Sequence, residues 1–350
     1  MSFNPDHKII ASASADNTVK LWNLDQEPKT LIGHSDSLWA VSFSPNGKNI
    51  ASAGDDKTIQ LWSIDGQKLK SISPNSNLDW NRIWNITFSP DGNTIATVGF
   101  DQTVKIWSLD GENIKTFQGH KDQVIDVNFS PNGKILATAS YDGTIKLWDI
   151  NNQELRTLIG NGGRVHSVNF SPNGMMIASG HHDGTIKLWN LEGKNLKTFK
   201  GHNSYITNVR FSPDGKIIAS SSQDKTIKLW SLEGQEIKTF KGHTAGVTKF
   251  SFSPDSKIIV SASSDGTIRL WNVENGQEIK TIEGHGYAFL NVSFSPDGKK
   301  IAAVSDDGLV EIWNAETLDF DHLIDRGCNW LDNYLKNNSQ VSNTDKNICN

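Results

Sequence analysis

A histidine, a hydroxyl residue and an aspartate recur together at the same spacing four times along the chain. These are the residue types of a general base, a nucleophile and an orienting carboxylate, so the pattern suggests acyl transfer. A catalytic triad is needed only once, in one cleft beside an oxyanion hole. Four copies in one molecule therefore favour a structural role. The sets are His34, Ser52 and Asp56; His120, Thr138 and Asp142; His202, Ser220 and Asp224; and His243, Ser261 and Asp265.

No other constellation in the sequence points to catalysis. It contains no glycine-rich phosphate-binding loop, no cysteine pair at zinc spacing and no nucleophile elbow. Two adjacent histidines, His181 and His182, precede Asp183 and could suggest a metal site. Adjacent residues of a strand point to opposite faces, so the two imidazoles are not expected to converge on one ion. We therefore predict a protein that is not an enzyme and that holds no metal or other cofactor.

The histidine sets belong to a repeated unit that is clearest in residues 201–240. Its apolar residues fall into four short runs, which is typical of four β-strands. A turn built from Ser212, Pro213, Asp214 and Gly215 separates the first two runs, because proline presets φ and glycine tolerates a positive φ. No segment of the unit has room for a helix. A unit this small cannot bury its apolar face alone, so a period of about 40 residues implies stacked four-stranded units.

A tryptophan ends the third strand of each copy, and an aspartate stands six positions before it. Together with Gly-His at the start of the unit and Ser or Thr in its second strand, this pattern resembles that of WD-repeat β-propellers. The literal Trp-Asp pair survives only at Trp148 and Asp149. Eight matches in register cover most of the chain, at Asp16 and Trp22, Asp56 and Trp62, Asp101 and Trp107, Asp142 and Trp148, Asp183 and Trp189, Asp224 and Trp230, Asp265 and Trp271, and Asp307 and Trp313.

The resemblance implies an all-β propeller whose blades are sheets of four antiparallel strands. It also implies that in each blade a buried chain of hydrogen bonds runs from aspartate through histidine and the hydroxyl to the tryptophan indole. Such a chain satisfies buried polar groups and favours one blade geometry. Asp79 and Asn161 stand in the place of histidine and Ala303 in that of the hydroxyl. The network is predicted to contain His34, Ser52, Asp56, Trp62, His120, Thr138, Asp142, Trp148, His202, Ser220, Asp224, Trp230, His243, Ser261, Asp265 and Trp271.

Two blade counts fit the sequence, and they differ in how the N-terminal residues are used. Residues 1–24 hold a partial repeat that lacks most of its first strand, and residues 28–314 hold the propeller. In propellers of this family, the strand before the first complete repeat completes the last blade, so that no sheet edge stays open. Residues 28–32 fit that part, and we favour seven blades. The alternative is eight blades that include the partial repeat, since an orphan hairpin with exposed Leu21 and Trp22 would be marginal in water.

Two segments follow the last repeat. Residues 315–336 are predicted to form a short helix, because Ile324, Leu331 and Leu335 fall on one face at helical spacing. Residues 337–350 are polar and are predicted to be disordered. Similar endings occur on bacterial multi-repeat proteins of this family, which favours a bacterial origin.

The composition limits the partners and the compartment. The formal net charge is −5, the sequence pI is about 6.1, and no cluster of Lys or Arg stands out. Nucleic acid and anionic membranes are therefore poor partners. The first residues lack the features of a signal peptide, and no apolar run approaches a membrane span. We expect a soluble, cytoplasmic protein whose two cysteines, both beyond the last repeat, are reduced.

In this family three positions per blade lie on the narrower top face: two near the start of the first strand and one just before the aspartate. They hold aromatic and basic residues in the blades that end at Trp62 to Trp230, but small, polar or aliphatic ones in the last two blades. Aromatic and Arg side chains dominate binding hot spots. An additional loop, residues 73–79, also lies on this rim. The predicted partner-binding residues are Trp39, Arg82, Trp84, Phe100, Tyr141, Arg164, His166, His182 and Tyr205.

The sequence therefore predicts a non-catalytic interaction scaffold that binds a protein or peptide on one sector of the top face. The expected setting is a bacterial signalling or regulatory assembly. The alternative is a remnant or regulatory scaffold of a larger multidomain signalling enzyme, a nucleotidase or kinase, whose effector domain is missing. The oligomeric state does not follow from the sequence.

Overall fold

The computed structural model describes residues 1–4, 9–13, 17–23, 29–73, 82–151, 154–284, 286–295, 297–306 and 310–315. These residues form β-strands joined by tight turns and contain no α-helix. The strands make seven four-stranded antiparallel sheets and one smaller, three-stranded sheet. We number the sheets 1 to 8 in chain order.

Sheets 1 to 4 contain sixteen strands in strict sequence order. Their bounds are β1 (Ser2–Phe3), β2 (Ile9–Ala13), β3 (Thr18–Asn23), β4 (Lys29–Ile32), β5 (Leu38–Phe43), β6 (Asn49–Gly54), β7 (Ile59–Ser63), β8 (Lys68–Ile72), β9 (Ile83–Phe88), β10 (Thr94–Gly99), β11 (Val104–Ser108), β12 (Asn113–Phe117), β13 (Val124–Phe129), β14 (Ile135–Ser140), β15 (Thr144–Asp149) and β16 (Glu154–Ile159).

Sheets 5 to 8 continue the same meander. Their bounds are β17 (Val165–Phe170), β18 (Met176–His181), β19 (Ile186–Asn190), β20 (Asn195–Phe199), β21 (Ile206–Phe211), β22 (Ile217–Ser222), β23 (Ile227–Ser231), β24 (Glu236–Phe240), β25 (Val247–Phe252), β26 (Ile258–Ser263), β27 (Thr267–Asn272), β28 (Glu278–Glu283), β29 (Phe289–Phe294), β30 (Lys300–Ser305) and β31 (Val310–Asn314).

In sheets 2 to 7 the turn between the first two strands forms as its residue types dictate. In sheet 6 the Ser212 hydroxyl donates to Asp214 Oδ1 over 2.6 Å, and the same carboxylate oxygen accepts the Lys216 N–H at 3.1 Å. The Gly215 N–H donates to the Ser212 carbonyl at 2.8 Å with φ at 71°, a conformation that favours glycine. The turn thus bonds internally and sets the register of the hairpin.

The core lies between neighbouring sheets. Between sheets 4 and 5, for example, Ile145 and Leu147 of one sheet pack against Val168, Phe170 and Trp189 of the next. The first strand of each sheet contacts the first strand of the following sheet, while the fourth strands are mostly exposed. This radial order confirms the predicted all-β propeller with four antiparallel strands per blade.

The expectation that residues 28–32 complete the last blade is wrong. Strand β4, which contains Leu31, pairs with β3 from Thr18 to Leu21 and completes sheet 1. The last sheet is three-stranded within the described residues. A short connection closes a small loop and costs less entropy than closure across the whole chain, which favours this local pairing. Seven four-stranded sheets are present, but the first of them is built partly from the N-terminal repeat.

The N-terminal repeat is not an orphan hairpin. Val19, Leu21 and Leu31 are at most 3% exposed, because they pack against sheet 2 around Phe43 and Trp62. Burial against a neighbouring sheet supplies the stability that an isolated hairpin lacks.

Two sequence predictions lie outside the described residues. They are the predicted helix, residues 315–336, of which only Ala315 is described, and the predicted disordered tail, residues 337–350. In the part of the chain that the structure describes, no helix is both long and apolar enough to cross a membrane.

Candidate functional site

The hydrogen-bond chain of sheet 6 shows what the repeated histidine set does. The Trp230 indole N–H donates to Ser220 Oγ at 2.8 Å, and Ser220 Oγ lies 2.8 Å from His202 Nε2. His202 Nδ1 lies 2.8 Å from Asp224 Oδ2. Because the ionised carboxylate can only accept, Nδ1 must carry the proton that it gives to Asp224. In the neutral imidazole Nε2 is then an acceptor, so the serine donates to it.

The same chain occurs in three further sheets. His34, His120 and His243 each contact their aspartate at 2.8 to 2.9 Å and their hydroxyl residue at 2.8 Å. The matching indoles donate to those hydroxyls at 2.8 to 2.9 Å. The sixteen residues of these chains are His34, Ser52, Asp56, Trp62, His120, Thr138, Asp142, Trp148, His202, Ser220, Asp224, Trp230, His243, Ser261, Asp265 and Trp271.

The electrostatics of these chains keep the carboxylates ionised. Burial by itself raises the pKa of Asp224, but hydrogen bonds from His202 and Thr226 and from a backbone N–H lower it overall to well below the usual range. Asp265 has its pKa lowered to about 2, since burial is outweighed in the same way. The Ser220 hydroxyl is fully buried and its proton is committed to histidine. This hydroxyl therefore cannot reach a substrate, and we interpret the four histidine, hydroxyl and aspartate sets as structural.

Sheet 5 contains a substitute that the sequence did not reveal. Asn161 stands where histidine is expected, and His181, from the end of β18, fills the vacant place with its own ring. Its Nε2 lies 2.9 Å from Ser179 Oγ, and that hydroxyl accepts the Trp189 indole N–H at 2.8 Å. The signal in the sequence was a glycine on each side of Asn161, which leaves room for a ring from another strand. The second anomalous residue, Asp79, lies outside the described residues.

Replacing Gly160 by alanine tests this arrangement. A Cβ at residue 160 would stand 2.2 Å from His181 Cε1, so we expect the substitution to lower the free energy of unfolding by about 2 kcal/mol, as overpacking does. Urea titrations of Gly160→Ala and of the Gly160→Ala/His181→Ala double variant measure the effect. The added methyl should cost clearly less when His181 is already alanine. An equal cost in both backgrounds would contradict the assignment.

The first group on the predicted top face consists of Trp39, Asp55, Arg82 and Trp84, and we call it the tryptophan cluster. The two indole rings lie 5.3 Å apart between centroids. The Trp39 N–H donates to Asp55 Oδ1 at 2.7 Å, and Arg82 Nε lies 3.4 Å from the same oxygen. Trp39 is 49% exposed. The cluster thus offers a broad aromatic surface whose arginine is already paired with a carboxylate.

Five side chains form the second group, the histidine–tyrosine cluster. Arg164 stacks over the Tyr141 ring at 4.7 Å. The His166 ring stacks on both His182, at 5.4 Å, and Tyr205, at 5.1 Å. Cation–π and ring contacts of this kind hold aromatic surfaces in fixed orientations. The cluster therefore presents a preformed aromatic surface with one arginine.

Arg164 is a permanent cation of this cluster. Burial, with the neighbouring His182, Arg164 and Lys249, lowers the pKa of His166 to about 4, so this imidazole is neutral. Burial also raises the pKa of Tyr141. His166 Nε2 lies 3.1 Å from His182 Nδ1, which requires one of the two rings to donate and the other to accept. Aromatic rings therefore outnumber positive charges in this sector.

Gln123 joins the two clusters. Its side-chain oxygen accepts the Trp84 indole N–H at 3.2 Å, and its backbone carbonyl accepts the Tyr141 N–H at 3.0 Å. Phe100, 37% exposed, follows Arg82 on the same rim, since its N–H donates to the Arg82 carbonyl. All nine predicted residues thus lie along one sector, Trp39, Arg82, Trp84, Phe100, Tyr141, Arg164, His166, His182 and Tyr205.

The opposite sector is poorer in aromatic side chains but is not without them. Tyr287 and Leu290 are 54% and 42% exposed near the start of β29. The repeat register does not mark Tyr287, because this residue lies one position outside the three top-face positions. No ring contact of Tyr287 is found within the described residues.

A central cavity of about 280 Å³ opens beside this aromatic sector. Trp39, Trp84 and His166 line it, together with asparagine and serine residues of the first strands. Arg210 and Lys249 also stand in it. The described residues contain no group of three or more His, Cys, Asp or Glu side chains that could hold a metal ion.

Comparisons with known proteins agree with this geometry. Residues 1–199 and 164–341 each match a family model described as the IFT122 first beta-propeller. The crystal structure of the computationally designed Ika8 protein is similar, with 30% sequence identity and a TM-score of 0.78, over 89% of this chain and 95% of that chain. No curated protein matches the sequence.

Proposed function

Because the chain belongs to the β-propeller family of the IFT122 first propeller, we propose that it is a non-catalytic scaffold that binds a protein segment on its aromatic sector. Propeller domains commonly mediate protein interactions and typically perform no catalysis. Fold alone does not assign a function, so the proposal depends on the site.

The observation that carries the proposal is the sector formed by the two aromatic clusters, which Gln123 joins and whose rings contact one another within each cluster. Trp39 and Phe100 are exposed although both are large and apolar, and Arg164 is exposed over a tyrosine ring. Clustered exposed aromatic residues mark interaction sites, because they bury much area at low entropic cost when a partner covers them. The ring contacts within each cluster lower the cost of ordering these side chains on binding.

A pull-down with a matched control tests this proposal. The Trp39→Ala/Phe100→Ala/Arg164→Ala variant removes three exposed side chains of the sector, whereas Tyr287→Ala/Leu290→Ala removes two exposed side chains of the opposite sector. We expect quantitative mass spectrometry of lysate bound to each bait to show proteins that wild type and control retain and that the sector variant loses at least tenfold, as hot-spot loss predicts. Equal retention by all three baits would contradict the proposal.

Three finer points stay predictions from the sequence. They are the bacterial signalling or regulatory setting, the cytoplasmic location, and the alternative that the chain is the scaffold part of a larger multidomain enzyme. Nucleic acid and membranes are not proposed as partners, because the chain carries a net charge of −5 without a basic patch on the aromatic sector beyond Arg82 and Arg164.

A further inference from the structure

Polar side chains of the first strands tie neighbouring sheets together around the central cavity. Asp126 Oδ2 accepts the Val168 N–H of the next sheet at 2.9 Å, and Asn169 Oδ1 accepts the Phe211 N–H at 3.2 Å. A first strand is the inner edge of its sheet, so its outward N–H groups need acceptors. Asparagine, serine and aspartate provide them.

Two residues in these positions cannot do this work. Arg210 occupies in β21 the place that Asn169 has in β17, one residue before the terminal phenylalanine, and Lys249 occupies in β25 the place of Asp126. Arginine and lysine are donors only, so neither can accept an N–H from the next sheet. Stabilisation of the ring therefore does not explain them.

The two cations have no direct partner within the described residues. Neither forms an ion pair or a hydrogen bond there, although both line the cavity. Asp126 attracts both from a distance, but its oxygens already accept bonds from Asn85 and from two backbone N–H groups. Burial lowers the pKa of Lys249, and nearby Arg210 lowers it further. Met1 also lines the cavity, and burial together with Lys249 lowers the pKa of its amino group to about 5. Arg210 and Lys249 thus outnumber Asp126, which leaves the cavity electropositive and open to an anionic group.

The cavity is continuous with the aromatic sector. Trp39, Trp84 and His166 belong to the sector and also line the cavity. A side chain of a segment lying on the sector can therefore enter between these rings. The protein as a whole is negative, at −5, so long-range attraction does not favour an acidic partner and the preference has to come from local cations.

We propose that the protein segment bound on the aromatic sector inserts an acidic side chain, Asp or Glu, into the central cavity, where its carboxylate pairs with Arg210 and Lys249. This inference rests on the proposed function and names the chemistry of the partner. Charge-assisted hydrogen bonds from arginine and lysine to a carboxylate are about twice as strong as neutral ones. The cavity volume of about 280 Å³ is ample for one such side chain.

Panning of a phage-displayed random peptide library on the intact protein tests the inference. We expect the enriched peptides to share an Asp or Glu, and a labelled enriched peptide to bind at least tenfold more weakly, by fluorescence anisotropy, to the Arg210→Gln/Lys249→Gln variant. The same loss should follow when the acidic residue of the peptide is changed to its amide. The control variant Arg156→Gln/Lys280→Gln removes the same charges from exposed outer strands and should bind like wild type.

Each other outcome overturns the inference. Enriched peptides without an acidic residue, or acidic peptides that bind both double variants equally, would remove the cavity site and leave the proposed function standing. No enriched peptide at all would also reject insertion of a segment, while the pull-down decides the proposed function separately. Binding of free succinate that depends on Arg210 and Lys249, with no binding of acidic peptides, would identify a small-molecule site instead. A Lys249→Met single variant keeps the test available if the double variant does not fold.

Discussion

Replacing His202 by alanine is expected to lower the free energy of unfolding by about 3 kcal/mol. The imidazole bonds Ser220 and Asp224 at 2.8 Å each and is itself buried. Its removal leaves a cavity beside Trp230 and an ionised carboxylate, nearly buried, without its main donor. An unpaired buried neutral group costs about 1 to 3 kcal/mol and a charged one more.

Urea titrations and calorimetry of the intact chain measure this effect. Asn203→Ala is the matched control, because Asn203 is the exposed next residue and bonds Asp224 only through its backbone N–H, which alanine keeps. We expect the control to lie within about 0.5 kcal/mol of wild type, as exposed substitutions do. If His202→Ala were as stable as the control, the histidine chain would have no structural role.

Mild acid is expected to destabilise the protein through His181. Burial, with Lys187 nearby, lowers the pKa of this imidazole to about 4, and its Nδ1 has no hydrogen-bond partner among the described residues. A histidine in the unfolded chain titrates near 6.5, so the unfolded state takes up the proton first. The contribution of His181 is therefore complete above pH 6.5 and is lost as the pH falls towards 4. At about 1.36 kcal/mol per pH unit, this amounts to roughly 3 kcal/mol.

The His181→Gln variant isolates this contribution. Glutamine does not titrate, so the loss of unfolding free energy between pH 7 and pH 4.5 should be smaller in the variant than in wild type by about 2.5 kcal/mol. Urea titrations of both proteins at the two pH values give the difference. The pKa of His166 is also lowered, but this residue is present in both proteins, so its contribution cancels in the difference. Identical pH dependence of the two proteins would show that His181 is not buried in its neutral form.

The histidine chains were predictable in detail because they are local. Each runs through one sheet, and its members follow one another at a spacing that every complete copy repeats, as His202, Ser220, Asp224 and Trp230 do. Strand period and turn chemistry place them without knowledge of other sheets. The role of His181 was not predicted, because the repeat pattern assigns no role to position 181. Its ring comes from β18 and occupies the place that Asn161 leaves empty.

The aromatic sector was predictable in part. The repeat register located Trp39, Tyr141 and Arg164 on one side, but it did not reveal that Asp55 pairs with Arg82 or that Gln123 joins the two clusters. These contacts join neighbouring sheets or positions far apart in the chain. They reduce the positive charge of the sector, which the sequence alone had described as basic.

By itself, the sequence determined the all-β propeller, the four-stranded unit and the residues of the histidine chains, because alternation, turn residues and spacing act within some 40 residues of chain. Only the tertiary structure decided that β4 pairs with β3 rather than with β31. Only it brought Arg210 and Lys249 of different sheets to one cavity. The physical reason is that loop-closure entropy and the packing of one sheet on the next depend on distances between segments, and a local pattern does not record them.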